Sequence, residues 1–557
     1  MIGRLGVPLA FFTIIFATPA LSQNSTVSCW DEIPATSSLS WKPCYTDFTC
    51  ANLQVPLDHE DASAGTTNIA LLRWETPNQP AMGDIILNPG GPGSSGVGWL
   101  LRGKNRLVNL LGTSYNLVGM DPRGVNNSGP SVDCFPGQPF VREYYYSLLN
   151  TNYDPANEQE VRNFWTAAGG YGDWCAQTLN QTARYVNTPA TARDMLTYAE
   201  ALAESRGEPK DEAKLNYYGV SYGSTLGTTF ASLFPERVGR MIISGVVDAE
   251  EHYGGTWMHS LRQADATMTK FFELCYEARS ACAFFKNDSS AQDMQERFDA
   301  LIADLKREPI SVSDPRFLQF PKVIKWADVM YGVLLAVYNP SSFPTTAGIL
   351  AQLEQRNATS MIKLTSELDI PKGIMPPSDC SEPSVKYGEV GTRNIVGCND
   401  QHGSYNISSF EKMQQHISYL DNVSRYLGSI WSGTIPVYCR KHAFVPPESQ
   451  IFPGYKETQT ANPLLFAENT LDPISSFAEK MANFYTGSVI LKQDAVGHGT
   501  TAAVSNCTSA HFSNFMQTGK LPAAGTICDI QDPNPFLVGI SEGGNRSVER
   551  RGLPFLH

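Results

Sequence analysis

The sequence has no long apolar stretch after its first 22 residues and no excess of positive charge. Because a membrane-spanning helix needs about 20 apolar residues, no transmembrane helix is expected. The formal net charge is −13, which argues against nucleic acid or an anionic membrane surface as a partner. No two of the twelve cysteines form a C-x-x-C pair, and the chain contains no internal repeat or low-complexity tract. These absences exclude a repeat architecture and argue against a zinc or redox centre.

The first 22 residues have the pattern of a secretory signal peptide. Arg4 supplies a positive amino-terminal region, residues 6–17 form an apolar core, and Ala20-Leu21-Ser22 provides small residues for cleavage. An apolar core of about 12 residues is too short to span a bilayer. We therefore expect a cleaved signal peptide over residues 1–22 and a secreted, extracellular protein with no membrane attachment after cleavage.

The cysteines and the N-x-S/T sequons are those of an exported chain. An even number of cysteines outside the cytosol predicts disulfides, although their full connectivity does not follow from the sequence. Neighbours in the sequence are plausible bridges: Cys44–Cys50, Cys275–Cys282 and Cys507–Cys528. Nine sequons together predict a glycosylated surface. They begin at Asn24, Asn126, Asn180, Asn287, Asn357, Asn406, Asn422, Asn506 and Asn545.

Short apolar runs, each followed by a loop rich in Gly, Pro or Asp, indicate strands that are buried on both faces. The runs cover residues 69–75, 84–88, 115–120, 215–220, 239–247, 463–468 and 488–493. Between them, residues 190–206 and 224–234 have apolar positions at helical spacing. This alternation predicts an α/β fold with a mostly parallel, doubly wound sheet, in which functional residues collect at the carboxyl ends of the strands.

About 190 residues interrupt this alternation with mainly helical patterns. A structureless loop of that length is implausible inside a compact domain, so we interpret the stretch as an inserted helical cap. The predicted organisation is a signal peptide (1–22), a first part of the core (23–251), the cap (252–440), a second part of the core with a carboxyl-terminal segment (441–530) and a loose tail (531–557).

The pentapeptide Gly219-Val220-Ser221-Tyr222-Gly223 matches G-x-S-x-G and lies between an apolar strand and a helical pattern. A serine on a sharp strand-to-helix turn needs small residues two positions away on either side, and its oxygen then projects above the sheet. This context predicts that Ser221 is a nucleophile rather than an ordinary turn serine.

A nucleophilic serine needs a base and an acid that orients the base. In the α/β-hydrolase fold they follow in the order serine, Asp or Glu, histidine. His498 lies between two glycines after the last long predicted strand and is the candidate base. Asp472, on the loop after the preceding strand, is the candidate acid. Glu468 and Asp494 are competing acids, the first at the strand end and the second only four residues before His498.

Acyl transfer also needs backbone donors for an oxyanion. The N–H of Tyr222 is one candidate, and the loop Gly90-Gly91-Pro92-Gly93 offers the other, with Gly90 slightly favoured over Gly91. The loop lacks the Gly-Lys-Ser/Thr of a P-loop and the G-x-G-x-x-G spacing, which argues against a phosphate site. Together the motifs predict an α/β-hydrolase.

These motifs resemble those of prolyl iminopeptidases and secreted tripeptidyl aminopeptidases over roughly residues 40–530. Residues 88–96 (NPGGPGSSG) are similar to the family's oxyanion loop, residues 121–124 (DPRG) to its D-x-R-G loop, and residues 218–224 (YGVSYGS) to its nucleophile elbow. Residues 506–528 are similar to the carboxyl-terminal segment of the tripeptidyl aminopeptidase group. The resemblance implies a serine exopeptidase that releases residues or short peptides from free amino termini.

The resemblance also implies acidic groups near the cap that pair with the ammonium group of the substrate. Glu250, Glu251 and Asp400 are candidates by position, and each could equally be a structural acid. No metal and no organic cofactor are implied, and the expected partner is a peptide or a small acyl substrate. The alternatives are an esterase, lactonase or amidase acting on a small molecule, and a non-catalytic binding protein on a hydrolase scaffold. The oligomeric state is not predicted.

Overall fold

Parallel strands form the centre of a large mixed sheet in the computed structural model, which describes residues 30–149, 153–316, 318, 320–368 and 388–538. The predicted signal peptide, Cys29, Cys380, the sequons at Asn24 and Asn545, and the tail from residue 539 onwards lie outside the described residues. Within those ranges, every helix is too short or too polar to cross a bilayer.

The strands are β1 (Ala35–Thr36), β2 (Lys42–Cys44), β3 (Phe48–Pro56), β4 (Thr66–Trp74), β5 (Asp84–Asn88), β6 (Asn116–Met120), β7 (Leu215–Val220), β8 (Val238–Ser244), β9 (Ile310–Val312), β10 (Lys322–Ile324), β11 (Leu465–Leu471), β12 (Val489–Val496) and β13 (Ile527–Cys528). The seven predicted apolar runs correspond to strands β4–β8, β11 and β12 to within about three residues, and the other strands were not predicted. The main sheet has the order β1-β3-β4-β6-β5-β7-β8-β11-β12-β13, with β2 paired to β3. From β6 to β13 all neighbours are parallel, which confirms the predicted α/β fold.

Helices cover both faces of the sheet and form the insertions. They are α1 (Gly96–Leu111), α2 (Pro139–Leu149), α3 (Glu158–Thr178), α4 (Thr188–Ser205), α5 (Tyr222–Leu233), α6 (Ala249–Gly254), α7 (Ala264–Ala278), α8 (Ala291–Arg307), α9 (Trp326–Tyr338), α10 (Phe343–Leu353), α11 (Thr359–Leu368), α12 (Glu389–Gln401), α13 (Phe410–Val423), α14 (Gly428–Trp431), α15 (Ile435–Tyr438), α16 (Ala478–Ala482) and α17 (Asn506–Thr518).

Alternate residues of the central strand β5 belong to different hydrophobic clusters. Ile85 and Leu87 pack with residues of α1 and α17, whereas Ile86 packs with residues of α4 and α5. Because both faces are covered, all five residues of β5 are buried. This explains why the centre of the strand, Ile85-Ile86-Leu87, is a continuous apolar run and not an alternating one.

The predicted helical insertion forms a cap of helices α7–α15 and the antiparallel pair β9–β10, placed between β8 and β11. Its core contains aromatic residues such as Phe272 and Phe298, whose rings pack together. The cap has a second part, because α2 and α3, between β6 and β7, pack against it through contacts such as Tyr171 with Tyr438. The predicted organisation places these two helices in the first part of the core (23–251), because they lie between two core strands in the sequence.

Residues 531–538, the described part of the predicted loose tail (531–557), pack against the cap. Phe536 is buried and its ring contacts Phe271 and Phe343. The Asn534 amide donates a hydrogen bond of 2.9 Å to the carbonyl of Leu274. Burial of a large aromatic side chain offsets the entropy lost when the segment is ordered.

The three predicted disulfides, Cys44–Cys50, Cys275–Cys282 and Cys507–Cys528, are all present. Two further bridges, Cys134–Cys175 and Cys398–Cys439, each join residues 41 positions apart, so spacing could not reveal them. The first bridge ties the start of the α2–α3 insertion to α3, and the second ties α12 to the turn after α15. Both bridges therefore stabilise the cap, because each one lowers the conformational entropy of the unfolded chain.

Six of the seven described sequon asparagines are exposed: Asn180, Asn287, Asn357, Asn406, Asn422 and Asn506. Asn126 differs because it is partly buried; its backbone has a positive φ of 45°, a feature that it shares with Asn287. Its amide nitrogen lies 3.3 Å from Asp121 Oδ2 and 3.4 Å from Ser95 Oγ. That nitrogen is the atom to which a glycan would be attached.

We expect the six exposed sequons to accept glycans and Asn126 to remain unmodified when the chain is secreted from a glycosylating host. The amide nitrogen of Asn126 faces a buried carboxylate, and a sugar there would displace the loop before α1. Enzymatic deglycosylation in heavy-oxygen water, followed by peptide mass mapping, marks each occupied asparagine. A glycan on Asn126 in folded protein would contradict the described contacts.

Candidate active site

Ser221 lies at the junction between β7 and α5 and has φ 60° and ψ −127°. This conformation is strained for a residue with a side chain, as expected of a nucleophile elbow. The flanking glycines leave no room for a Cβ: one on Gly219 would lie 2.5 Å from the Gly223 carbonyl oxygen, and one on Gly223 would lie 2.7 Å from the Asn88 carbonyl oxygen. The G-x-S-x-G pattern is therefore required by close backbone packing.

The Gly-rich loop after β5 touches the elbow. A Cβ on Gly90 would lie 2.7 Å from Ser221 Cβ and 3.1 Å from the backbone nitrogen of Tyr222. The N–H of Gly90 donates to Asn88 Oδ1 at 2.9 Å. Since that donor is engaged, this contact favours Gly91 over Gly90, the glycine that the sequence slightly favours. The N–H of Tyr222, in the first turn of α5, is the second candidate donor.

His498 lies on the loop that follows β12. Its backbone N–H donates to the carbonyl of Tyr338 at 2.9 Å, and the Tyr338 ring packs edge-on against the imidazole. A Cβ on Gly245 would lie 3.5 Å from His498 Cε1, while the preceding residue, Ser244, accepts a hydrogen bond of 3.1 Å from the Ser221 N–H. The imidazole and Ser221 therefore lie beside the same end of β8. His498 Nε2 is buried and has no hydrogen-bond partner among the described residues.

Asp472 follows β11 and is fully buried. Its carboxylate oxygens lie 3.0 and 3.2 Å from His498 Nδ1. Oδ1 also accepts from the N–H groups of Ile474 and Ser475, and Oδ2 from the N–H of Gly499. With donors on every side, the carboxylate holds Nδ1 as the protonated nitrogen and leaves Nε2 as an acceptor.

The competing acids, Glu468 and Asp494, bond to residues other than His498. Glu468 accepts a hydrogen bond from the N–H of Ala478 and lies 3.7 Å from Lys492. Asp494 is exposed and accepts from the hydroxyl of Thr470. The structure therefore brings Asp472, and neither competitor, to the ring of His498.

The three acids predicted to bind an ammonium group all have protein partners. Glu250 is about half exposed and pairs with Lys480 at 2.8 Å. Glu251 accepts hydrogen bonds from the N–H groups of Met258 and His259, and thereby organises the turn after α6. Asp400 is buried, and both of its oxygens are engaged. These contacts favour structural roles for the three acids.

Glu389 is the acid that the sequence reasoning missed. It begins α12 in the cap, and its carboxylate is hydrogen-bonded to the hydroxyl of Ser94 in the Gly-rich loop. A Cβ on Gly93 would lie 2.9 Å from the Glu389 carbonyl oxygen, so helix and loop are in close contact. Burial raises the pKa of the Glu389 carboxyl to about 7, while Ser94 and the charges of Arg393 and Arg102 oppose the shift. No motif marks Glu389, and only its contact with the loop identifies it.

The arrangement has the parts needed for acyl transfer: a strained serine, a histidine with a buried acceptor nitrogen, an orienting carboxylate and two backbone donors. One possible ligand group for a metal, within the described residues, contains Cys507, His511 and Cys528. Its two cysteines form a disulfide, so they offer no thiolates.

Two family sequence models match the chain. The model described as "alpha/beta hydrolase fold" matches residues 85–311, and the model described as "TAP-like protein" matches residues 428–528. The first covers the Gly-rich loop and the Ser221 elbow, and the second covers Asp472, His498 and the carboxyl-terminal segment. The two matches therefore lie on either side of most of the cap.

The curated relatives include peptidases and an esterase. The tripeptidyl aminopeptidase of Streptomyces lividans is 24% identical over 509 residues, which are 89% of this chain and 87% of the relative. Serine protease Hip1 of Mycobacterium tuberculosis is 22% identical over 508 residues, 88% of this chain and 91% of the relative. Carboxylesterase B of the same organism is 27% identical over 350 residues, 62% of each chain. A solved probable hydrolytic enzyme from Pseudomonas aeruginosa covers 81% of this chain and 88% of its own at 11% identity, with a TM-score of 0.30.

Proposed function

Because this serine hydrolase belongs to the α/β-hydrolase superfamily and carries the carboxyl-terminal segment of its TAP-like group, we propose that it is a secreted exopeptidase acting on free amino termini. The observation that carries the chemistry is the contact of His498 Nδ1 with the buried Asp472 carboxylate, beside the strained Ser221. The relatives named as an aminopeptidase and a serine protease support the choice of a peptide substrate.

In the proposed mechanism Ser221 Oγ attacks the scissile carbonyl carbon and passes its proton to His498 Nε2. Asp472 stabilises the resulting imidazolium, and the N–H groups of Tyr222 and Gly91 stabilise the negative oxygen of the tetrahedral intermediate. His498 then donates the proton to the departing amine, which leaves an acyl-enzyme on Ser221. A water molecule, deprotonated by His498, hydrolyses that ester and frees Ser221.

The exo-acting mode rests on Glu389. A substrate acylating Ser221 has its carbonyl oxygen at the Gly-rich loop, so residues on its amino side extend past that loop towards the cap. The Glu389 carboxylate is bonded to Ser94 of the same loop, and this contact supports the proposal that a free ammonium group pairs with it. A blocked amino terminus has no positive charge to pair with this partly buried acid.

Secretion is supported by three independent features. The sequence begins with a signal-like segment, five disulfides link described cysteines, and six sequon asparagines are exposed. Disulfides persist in oxidising compartments and are rare in the cytosol.

Profiling with matched substrates tests the proposed function. One panel contains mono-, di- and tripeptidyl chromogenic amides with free amino termini, a second contains the same peptides acetylated, and a third contains simple acyl esters. We expect hydrolysis of free peptides and little hydrolysis of acetylated ones. Cleavage of esters alone would refute the peptidase and favour the second candidate, an esterase, which the carboxylesterase relative supports.

The Glu389→Gln variant is expected to lower kcat/KM for free peptides by about 100-fold, since removal of one partner of a partly buried charge pair costs a few kcal/mol. Rates on simple esters should change little. Glu250→Gln, which alters an acid that pairs with Lys480, is the matched control and should retain normal kinetics. Steady-state kinetics on both substrate classes measure these effects. Equal losses on peptides and esters would contradict an ammonium-binding role.

The same pair predicts a pH dependence of KM for free peptides. Below pH 7 Glu389 gains a proton, because its pKa is raised to about 7, and attraction for the ammonium group falls. Above about pH 8 the α-amino group of the substrate loses its own proton. KM should therefore be lowest between about pH 7 and 8. A KM for free peptides that stays constant from pH 6 to pH 9 would show that Glu389 does not bind the ammonium group of the substrate.

A further inference from the structure

Helix α12 of the cap contacts both sides of the candidate oxyanion hole. At its amino-terminal end, Glu389 bonds to Ser94 in the loop that carries Gly91. At its carboxyl-terminal end, Asp400 belongs to a hydrogen-bonded chain that ends on the side chain of Tyr222. One cap element therefore connects to both candidate donors.

The chain of hydrogen bonds from Asp400 to Tyr222 passes through one threonine. Asp400 Oδ1 accepts from the Thr188 N–H at 2.8 Å, and Oδ2 accepts from the Thr188 hydroxyl at 2.5 Å. The Thr188 hydroxyl has a single proton, which it donates in the hydrogen bond to Asp400. In the hydrogen bond of 2.5 Å between Thr188 Oγ1 and Tyr222 Oη, the tyrosine hydroxyl is therefore the donor and Thr188 Oγ1 the acceptor.

Asp400 itself is held rigidly and is closed to solvent. Its side chain is fully buried, and Oδ2 also lies 2.7 Å from His252 Nε2. The preceding residue, Asn399, donates to the carbonyls of Ala183 and Val186, close to Thr188. Next to it, Cys398 forms the disulfide with Cys439. The Asp400 carboxylate can therefore hold the hydroxyl groups of Thr188 and Tyr222 in place through these hydrogen bonds.

We infer that Asp400 is a positioning residue for the oxyanion hole rather than a site for the substrate's ammonium group. It acts through Thr188 to hold the buried Tyr222 side chain, and so fixes the direction of the backbone N–H of Tyr222. The inference rests on the proposed function, because that function assigns this N–H as a donor to the oxyanion. A donor that is misdirected by a few tenths of an ångström stabilises the transition state less while leaving ground-state binding unchanged.

The test compares Asp400→Asn, Thr188→Val and Tyr222→Phe in the full-length protein. Each is expected to lower kcat by about tenfold, with KM within about twofold of the parent value. Affinity for a peptidyl trifluoromethyl ketone, whose adduct with Ser221 carries a charged oxygen, should weaken by a similar factor. The double variant of Asp400 and Thr188 should be no slower than the slower single variant, because both break one chain. Tyr455→Phe is the matched control: the hydroxyl of this partly buried tyrosine also bonds to threonines but not to Asp400, and loss of the hydroxyl should leave kcat unchanged.

Two results would overturn the inference. A raised KM for free peptides with an unchanged kcat would show that Asp400 binds the substrate. An unchanged kcat per active site, counted by fluorophosphonate labelling, together with a lower melting temperature, would show a purely structural role. If Asp400→Asn does not fold, Tyr222→Phe removes a single oxygen atom and gives the same comparison. Measuring kcat on an acyl ester as well keeps the test independent of the peptidase proposal, since the oxyanion forms on either substrate.

Discussion

Alanine in place of Ser221 is expected to lower kcat by about 10⁶-fold, the scale seen when the nucleophile of a Ser-His-Asp triad is removed. The β-carbon remains, so the strained backbone and the close packing against Gly90 are preserved, and only the attacking oxygen is lost. Covalent labelling by a fluorophosphonate should disappear together with hydrolysis of the best chromogenic substrate.

The matched control for this substitution is Ser205→Ala, which removes the hydroxyl of an exposed serine at the end of α4. It should label and turn over like the parent protein. Retention of labelling in Ser221→Ala, or a loss of activity below tenfold with the fold intact, would rule out Ser221 as the nucleophile.

Asparagine in place of Asp472 is expected to lower kcat by about 10⁴-fold with little change in KM. Both carboxylate oxygens accept hydrogen bonds from backbone N–H groups as well as facing His498 Nδ1. The NH₂ group of an asparagine would face at least one of these donors. It would also favour the wrong tautomer of His498, in which Nε2 carries the proton and cannot accept one from Ser221.

Asp494→Asn and Glu468→Gln are the controls for this assignment, since both acids compete with Asp472 in the sequence. Each should keep kcat within a few-fold of the parent protein. If kcat falls further in either control than in Asp472→Asn, the residue that orients His498 is that competing acid and not Asp472.

The three predicted site residues could be found from the sequence because each occupies a short local pattern at the end of an apolar run. Ser221, Asp472 and His498 follow β7, β11 and β12, and the carboxyl ends of parallel strands meet at one edge of a sheet. The chain order of serine, acid and histidine then predicts that Asp472 and His498 are the partners of Ser221. The contact between His498 Nδ1 and Asp472 is the step that the structure adds.

Two other features could not be deduced from spacing. The choice between Gly90 and Gly91 depends on the side chain of Asn88, which occupies the N–H of Gly90. Glu389 and Ser94 are 295 residues apart, and nothing local links an acid in the cap to the loop after β5. The same holds for helices α2 and α3, which belong with the cap although they interrupt the first half of the core.

Chain order has a consequence for when the protein becomes active. The strands up to β8, with the Ser221 elbow, are synthesised before the cap, and Ile242 of β8 pairs with Leu465 of β11 only after the whole cap has been made. Domains fold as units, and the sheet that carries the elbow is completed only by β11 and β12, so Ser221 is synthesised well before its partners Asp472 and His498. A growing chain, or one that stops within the cap, therefore carries a serine without its base. Hydrolysis begins only when the last strands close the sheet, which makes activity the final property that the chain acquires.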